Sequence, residues 1–437
     1  MYLTHKAKIQ TDSKTAEVLN NLCYSATKVY NTVLYNLRKP YEGWKKMRDD
    51  CEDIDYPFTE EAPKTSLDKT ALQTKYKDNH WAKNLHSQST QYVIKEVVDS
   101  YKSFFALRRN GNTEAMPPGF RPKHSLSPVT FIQSAFKIIE RNGRFYLRVS
   151  CGTKREDHIK SITLPILLQQ GIDPTTAKVV KLTYDTVTGN YYAHLVCKVD
   201  VPATQTSFLS NVVAIDLGLN NIVTAVTTDG DSMIISGREI KATKRYWQKV
   251  RSLVKPPSPE KRRMSRRYKQ IQRKESRQVT HRLHIISKSF VQFCEEKQID
   301  TIVIGDLTGI RDNISYGRRN NQQLHNWNFR KVADFIEYKA KRLGIETVTI
   351  SEKYTSQTCS ACEIRKKSNR KTRGLYVCGC GHRQNADVNG ARNILTKYLR
   401  HRSSGTVAVP VATLVYSRTD AHCLRTINQH PVGKRSA

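Results

Sequence analysis

The chain has 437 residues, with 73 Lys and Arg against 39 Asp and Glu, which gives a formal net charge of +34 at pH 7. A surplus of this size opposes compaction unless a polyanion neutralises it, so nucleic acid is the expected partner and a membrane surface is the alternative. The sequence has no run of 18 apolar residues, and its first residues, MYLTHK, turn polar too early for a signal peptide. It therefore predicts a soluble protein inside the cell.

The first half of the chain shows two hydrophobic periods. Residues 1–11 suit a short strand, and apolar residues at helical spacing then predict a helical block over 12–116. After the break PPGFRPK the period becomes two, and Asn142-Gly143 is typical of a hairpin turn. These patterns predict a small antiparallel barrel or sheet over 117–205, which the first strand could join, with the helical block inserted.

The second half opens on a buried strand, VVAI, that ends in Asp216. A second apolar run and a third, joined by Asp229-Gly230, predict two more strands. Three strands with an acid at the end of the first are how an RNase H-like sheet begins. Two later strands also end in acids, Asp306 and Glu352, and Asp387 lies in the first turn of the last predicted helix.

A long helical stretch is predicted over residues 238–296. Between Glu260 and Arg282 it carries ten Lys or Arg against two Glu. This density of like charge destabilises a free helix, and phosphates would relieve the repulsion. The residues expected to contact nucleic acid are Lys261, Arg262, Arg263, Arg266, Arg267, Lys269, Arg273, Lys274 and Arg277, with Arg318 and Arg319 in a loop that could act as a lid.

Four of the ten cysteines cluster as Cys359, Cys362, Cys378 and Cys380. Two cysteine pairs at this spacing predict a zinc ribbon in which four thiolates close the coordination shell, so the zinc is structural. The second pair is C-x-C, which leaves His382 as a reserve ligand.

The acids at the ends of separate elements form a second constellation: Asp216, Asp306 or Glu352 or both, and Asp387. Hard cations need several carboxylate oxygens. Two Mg²⁺ (or Mn²⁺) ions bridged by acids would hold both the attacking and the leaving oxygen of a phosphodiester. The order of strand, acid, basic helix, ribbon and final acidic helix is more specific than any one member.

Four motifs in this order and spacing resemble the TnpB family of transposon-encoded RNA-guided DNA nucleases, which is similar to the miniature type V CRISPR effectors. They are AIDLGLN at 214–220, IGDLTGIR at 304–311, YTSQTCSAC at 354–362 and DVNGARNI at 387–394. The resemblance covers about residues 1–400. It implies a guide RNA from the transposon end, a DNA target beside a short motif that the protein reads, a role in transposition, a monomer with RNA, and a location in the prokaryotic cytoplasm, at the nucleoid when bound to DNA.

The fold implied by the resemblance is an α+β multidomain protein. Its parts are an antiparallel wedge β-barrel (1–11 and 117–205), an inserted helical recognition lobe (12–116), an RNase H-like (RuvC) α/β nuclease domain (206–356 and 385–400), a zinc ribbon (357–384) and a tail expected to be disordered (401–437).

The chain departs from the family at one position. Many members carry Glu directly before the Asp-Leu of the second motif, where this chain has Gly305. Glu352 can replace that acid, because Val348, Ile350 and Glu352 share one face of a strand. The expected catalytic and Mg²⁺-binding residues are therefore Asp216, Glu352 and Asp387, with Asp306 as a substitute ligand or a residue behind the site.

The resemblance thus implies a metal-dependent endodeoxyribonuclease that leaves a 5′-phosphate and a 3′-hydroxyl. The alternative is a nuclease-dead RNA-guided DNA-binding repressor, for which Gly305 is the argument. A third reading is a resolvase or transposase that cuts DNA strands without a guide.

Overall fold

The computed structural model describes residues 1–50, 67–155, 157–169, 171–203, 211–254, 264–306, 317, 321, 329–372, 374–402, 412–416 and 426–427. For 39–50, 133, 401–402, 412–416 and 426–427 the structure describes the backbone alone. The chain divides into two compact units, Met1–Val199 and Asp200–Ala437. Across the described ranges, every helix is too short or too polar to span a bilayer.

The first unit contains an antiparallel sheet of seven strands in the order β2-β6-β7-β1-β5-β4-β3. The strands are β1 (Tyr2–Ile9), β2 (Val129–Ile132), β3 (Phe136–Arg141), β4 (Arg144–Ser150), β5 (Ser161–Leu167), β6 (Ala177–Asp185) and β7 (Asn190–Lys198). The predicted N-terminal strand joins this sheet, since β1 pairs with both β5 and β7.

The two edge strands of this sheet are consecutive in the chain. Only the 3₁₀ turn Gln133–Ala135 separates β2 at one edge from β3 at the other. Three residues span at most about 10 Å, so the two edges lie near each other and the sheet curls on itself. The prediction of a small antiparallel barrel or sheet is confirmed as an antiparallel sheet whose edges approach each other at this connection.

Helices α1 (Ser13–Asp50), α2 (Lys69–Tyr76) and α3 (Ser87–Arg109) lie between β1 and β2 in the chain, as the helical insertion predicted. Buried residues of α1, such as Leu22, Ala26 and Val33, share one core with Val97 of α3 and with the sheet residue Leu195. The insertion is therefore continuous with the core of the sheet.

The second unit contains a sheet in the order β12-β11-β8-β9-β10-β15-β16. Its strands are β8 (Val212–Asp216), β9 (Asn221–Thr227), β10 (Asp231–Ser236), β11 (Thr301–Asp306), β12 (Glu346–Ser351), β15 (Ala412–Tyr416) and β16 (Thr426–Ile427). The first three are antiparallel, whereas β11 runs parallel to both β8 and β12. The parallel strands bring three predicted acids to one end of the sheet.

Helices cover both faces of this sheet. They are α4 (Arg238–Leu253), α5 (Arg266–Glu296), α6 (Phe329–Arg342) and α7 (Ala386–Arg402). One face packs against α4, α5 and α6, and the other against α7. The helical stretch expected over 238–296 is divided: α4 ends at Leu253 and α5 begins at Arg266. Prolines follow Leu253 closely in the sequence, and a proline lacks the N–H that a helix interior needs.

The segment 401–437 was predicted to be disordered. This prediction is wrong for β15, which pairs in parallel with β10. The strand is a five-residue run, ATLVY, of mostly β-prone residues. The ribbon contributes a small hairpin, β13 (Leu375–Val377) with β14 (Arg383–Asn385).

Candidate active site

The position of Asp216 follows from the alternation of side chains along β8. Val212 and Ala214 pack toward α7, whereas Val213 and Ile215 pack toward the other helices. Asp216 continues the α7-facing series. A Cβ placed on Gly390 of α7 would lie 2.7 Å from Asp216 Oδ2, so the helix passes close to the carboxylate, and a side chain at that position would require the carboxylate to shift.

Asp387 lies in the first turn of α7 and is held on both oxygens. Asn221 Nδ2 donates to its Oδ2 at 2.8 Å, and Arg370 of the ribbon contacts its Oδ1 at 3.2 Å. Asn221 begins β9, directly after the turn that follows Asp216. Strand β9, helix α7 and the ribbon therefore all meet at this carboxylate.

Glu352 reaches the same region from the end of β12. Val348 and Ile350 pack on the α7 side, and Glu352 continues that series. A Cβ placed on Gly305 would lie 2.7 Å from Glu352 Oε2 and 3.4 Å from Glu352 Cβ. The glutamate thus fills the space that a side chain at position 305 would take, as the sequence analysis anticipated.

Asp306 has the opposite orientation in the strand. Val303 of β11 packs toward α7, and Ile302 and Ile304 pack toward the other face. Alternation therefore places Gly305 on the α7 face and Asp306 with the isoleucines. Its charge still reaches the site, since it helps to raise the pKa of Glu352.

Burial and mutual repulsion both act on the acids. Burial, and then the charge of Asp387, raise the pKa of Asp216 to about 7, although Arg370 lowers it in part. Burial, and then the charges of Asp216 and Asp306, raise the pKa of Glu352 to about 8. Asp216 is thus the central acid, coupled to Glu352 on one side and to Asp387 on the other, and a bound cation would favour the charged forms of Asp216 and Glu352.

The donor set fits divalent ions that prefer oxygen ligands, because it offers three carboxylates that stay partly accessible. Within the described residues, only the cysteine cluster has three or more potential ligand atoms all within 4.8 Å of one another. The carboxylates form a more open array.

The four predicted zinc ligands come together. Cys359 Sγ lies 3.8 Å from Cys380 Sγ, and Cys362 Sγ lies 3.5 Å from Cys378 Sγ. Tetrahedral ligands at about 2.3 Å from zinc are separated by about 3.8 Å, so the sulfurs are already spaced for this ion. His382 is not in the cluster; its Nε2 lies 3.3 Å from Ser360 Oγ.

Helix α7 ties the ribbon to the carboxylates. The fully buried Asn389 accepts from Ser360 N at 3.0 Å and donates to Thr358 O at 2.8 Å. One turn later, Asn393 Nδ2 donates to the carbonyls of Thr355 and Thr358, both at 2.7 Å. These bonds satisfy the backbone of the TSQTC motif and fix it against the helix that carries Asp387.

Sequence reasoning missed Arg370, Asn221 and the two α7 asparagines. The i, i+4 spacing of Asn389 and Asn393 was a usable signal, since it places both amides on one helix face. Nothing in the sequence around Arg370 marks it, because its partner lies across a tertiary contact.

The predicted nucleic-acid contacts are only partly described. Lys261, Arg262, Arg263, Arg318 and Arg319 lie outside the described residues. On α5 the remaining members are exposed, except Arg273, which is half-buried; the exposed ones are Arg266, Arg267, Lys269, Lys274 and Arg277. Ion pairs tie this helix to α4, namely Arg251 with Glu275 at 3.2 Å and Arg282 with Glu239 at 2.7 Å.

Two family models match the second unit. The model described as "Cas12f1-like, TNB domain" matches residues 329–394, and OrfB_IS605, described as "Probable transposase", matches residues 194–311. The first spans the ribbon and most of α7, and the second spans Asp216 and Asp306.

Among relatives, the TnpB-like protein ORF457 of Acidianus two-tailed virus is 27% identical over 197 residues, 43% of this chain and 42% of the viral protein. The CRISPR-associated endodeoxyribonuclease Cas12f1 of Sulfoacidibacillus thermotolerans is 38% identical over 112 residues, 25% of each chain. The match thus spans less than half of either relative. A "Putative RNA-guided DNA endonuclease" of Streptomyces pristinaespiralis is 27% identical over 318 residues, 72% of each chain.

A solved structure described as "Cryo-EM structure of the Cas12f1-sgRNA-target DNA complex" superposes with a TM-score of 0.57 at 16% identity, covering 88% of this chain and 83% of that one. This likeness shows an α+β multidomain fold, and the TNB match places a ribbon-like domain within it. The family models and the TnpB-like relatives agree with the four motifs, so the second half of the chain is similar to proteins of the TnpB family.

Proposed function

We propose that the chain is an RNA-guided DNA endonuclease of transposon origin, which hydrolyses DNA phosphodiesters in a RuvC-like site of the second unit. The observation that carries this proposal is the position of Glu352, whose carboxylate fills the space beside Gly305 and is coupled to Asp216. Burying a carboxylate costs free energy of folding, so we would not expect a chain that had lost cleavage to retain a buried acid in this place.

In this proposal Asp216, Glu352 and Asp387 would hold two divalent ions, whose chemistry would be to activate a water and to neutralise charge on the phosphate. Asn221 fixes the orientation of the Asp387 carboxylate by its bond to Oδ2. Arg370 lies at the other oxygen of Asp387, where a guanidinium can also bind a phosphate oxygen of the strand to be cut. The products would be a 5′-phosphate and a 3′-hydroxyl.

The proposed partners are a guide RNA from the transposon end and a DNA target beside a short recognised motif. The net charge of +34 and the exposed basic face of α5 support a polyanionic partner. Relatives named as RNA-guided DNA endonucleases, and a neighbour solved with guide RNA and target DNA, support both kinds of nucleic acid. The working form would be a monomer with RNA.

The repressor alternative rests on Gly305 alone, and the geometry around that glycine favours the nuclease. The transposase reading takes its support from the description of one family model. It predicts cutting without RNA.

The test is cleavage of a plasmid library in Mg²⁺ by protein purified with its own RNA, comparing wild type with Glu352→Ala and Asp306→Ala. Loss of cutting in Glu352→Ala, with a smaller effect in Asp306→Ala, is the expected result. Asp216→Ala should keep guided binding and lose cutting. Guided binding by wild type without any cutting would move the protein to the repressor class.

A further inference from the structure

The exposed face of α4 combines an aromatic ring with positive charge. At 100° per residue, Arg245, Tyr246, Lys249 and Leu253 fall within one quarter to one third of the helix surface. Tyr246 is 60% exposed and Leu253 is 84% exposed, and the two cations beside them are exposed as well. The only acid of α4, Glu239, is engaged by Arg282, so this face is basic and apolar together.

The opposite face of α4 is anchored, which fixes the orientation of the exposed one. Ile240 is buried, and Trp247 Nε1 donates to Gln278 Oε1 of α5 at 2.6 Å. The Trp247 ring meets the Tyr246 ring edge-on at 5.1 Å between centroids. Trp247 therefore supports Tyr246 from behind while the outer side of the phenol ring stays open to solvent.

We infer that this face is a stacking platform for an unpaired nucleobase, with Tyr246 beneath the base and with Arg245 and Lys249 on the flanking phosphates. This rests on the proposed function, since it needs a nucleic-acid partner. Bases stack on exposed aromatic rings, and cations at neighbouring positions bind the backbone. A nucleobase suits the site better than an apolar protein surface, because Arg245 and Lys249 would be desolvated under a protein and neutralised under phosphates.

The stacking and phosphate roles differ in their dependence on salt. Stacking is insensitive to salt, whereas each phosphate contact on a single strand contributes about 0.7 to the slope of log K against log [salt]. Tyr246→Ala should therefore weaken binding of a single strand by roughly 5- to 150-fold and leave the slope unchanged. Lys249→Gln should lower the slope by about 0.7. Tyr246→Phe keeps the ring and should bind like wild type.

The experiment measures binding of full-length protein to matched single-stranded DNA and RNA oligonucleotides at several salt concentrations without added Mg²⁺. Crosslinking to 5-iodouracil, followed by mapping of the modified peptide, should place the adduct at Tyr246 in wild type. The DNA and RNA arms show which strand the platform takes. Because Tyr246 is exposed, its substitution should leave the melting temperature unchanged. An unchanged melting temperature excludes misfolding as the cause of weaker binding.

The platform would be overturned if Tyr246→Ala bound and crosslinked like wild type. It would also be overturned if Tyr246→Ala lowered the slope of log K against log [salt] as much as Lys249→Gln does. A protein partner lost only in Tyr246→Ala or Leu253→Ala, with nucleic-acid binding intact, would overturn it too. If only the platform fails, wild type still shows guided cutting; if the proposed function fails, wild type itself shows no guided cutting.

Discussion

Glu352 and Gly305 form one steric unit: a Cβ on the glycine would lie 2.7 Å from Oε2 of the glutamate and 3.1 Å from Cδ1 of Ile394. A side chain at position 305 therefore requires the Glu352 carboxylate to shift from its place. In the parallel pairing of β11 with β12, Gly305 lies opposite Ile350, two residues before Glu352. The acid can thus move from one strand to its neighbour without leaving the α7 face of the sheet.

This relationship predicts that Gly305→Ala lowers cleavage although it leaves every carboxylate in place, because its methyl group displaces Glu352. We expect the rate of cleavage to fall by roughly 100-fold or more, because charge stabilisation by bound metal ions contributes several kcal/mol. The measurement is single-turnover cleavage by the protein–RNA complex.

The matched control is a double variant that carries both Glu352→Ala and Gly305→Glu. It returns an acid to the region from the neighbouring strand, and we expect partial recovery over Glu352→Ala alone, limited by Ile394. Equal activity of Gly305→Ala and wild type would contradict the steric argument.

Arg370 gives a second prediction. Its contact with Asp387 Oδ1 at 3.2 Å places a cation at the site from the ribbon side. Arg370→Gln should reduce the rate of cleavage by roughly 100-fold, the typical effect of removing one donor to a developing charge. Guided DNA binding should be preserved, because one contact among many is lost.

Arg370→Lys should recover only part of the rate, because an ammonium lacks the planar fork of guanidinium. The control is Lys371→Gln, since Lys371 is the exposed neighbour. Equal losses at positions 370 and 371 would indicate a general effect of charge and would contradict a specific role for the arginine.

The zinc cluster gives a third prediction, which concerns stability. Cys359→Ser should lose the zinc, about one ion per chain in wild type, and lower the melting temperature, because binding of structural zinc contributes folding energy directly. His382→Ala should retain zinc, since that ring lies outside the cluster and contacts Ser360. Zinc content by mass spectrometry and thermal melting check both variants. Loss of zinc in His382→Ala would restore the histidine as a ligand.

The acids at the ends of strands could be predicted from sequence because each one follows an apolar run, and a run of fixed period determines which face the next residue takes. Asp216 and Glu352 lie where that reasoning places them. The same rule, applied to β11, would have separated Asp306 from Gly305, since neighbours in a strand point to opposite faces.

The tertiary contacts of the site residues could not be predicted from the sequence. Arg370 and Asp387 are 17 residues apart along the chain, and Asn221 and Asp387 are 166 apart, so neither contact follows from local pattern. The strand β15 was missed for a similar reason: a short apolar run becomes a strand only because β10 offers it a free edge. The division of the long basic stretch into α4 and α5 was within reach, because the prolines after Leu253 mark it.

The fourth prediction concerns the pH dependence of stability in protein free of divalent ions. The pKa values of Asp216 and Glu352 are raised from 3.8 to about 7 and from 4.5 to about 8. The folded chain then binds more protons than the unfolded chain between about pH 4 and pH 8, so stability falls as the pH rises through that window. Asp216→Asn removes one of the repelling charges.

We therefore expect Asp216→Asn to be more stable than wild type at about pH 8 by roughly 0.5–2 kcal/mol, a gain typical of removing strain from an active site. At about pH 5.5, where both acids of wild type hold their protons, the difference should shrink. The control is Asp229→Asn, an exposed acid in the β9–β10 turn. Thermal melting at both pH values checks the prediction, and Mg²⁺ should stabilise wild type at pH 8 more than Asp216→Asn. Parallel pH profiles for wild type and Asp216→Asn would contradict the assignment of Asp216 as the central, electrostatically strained acid.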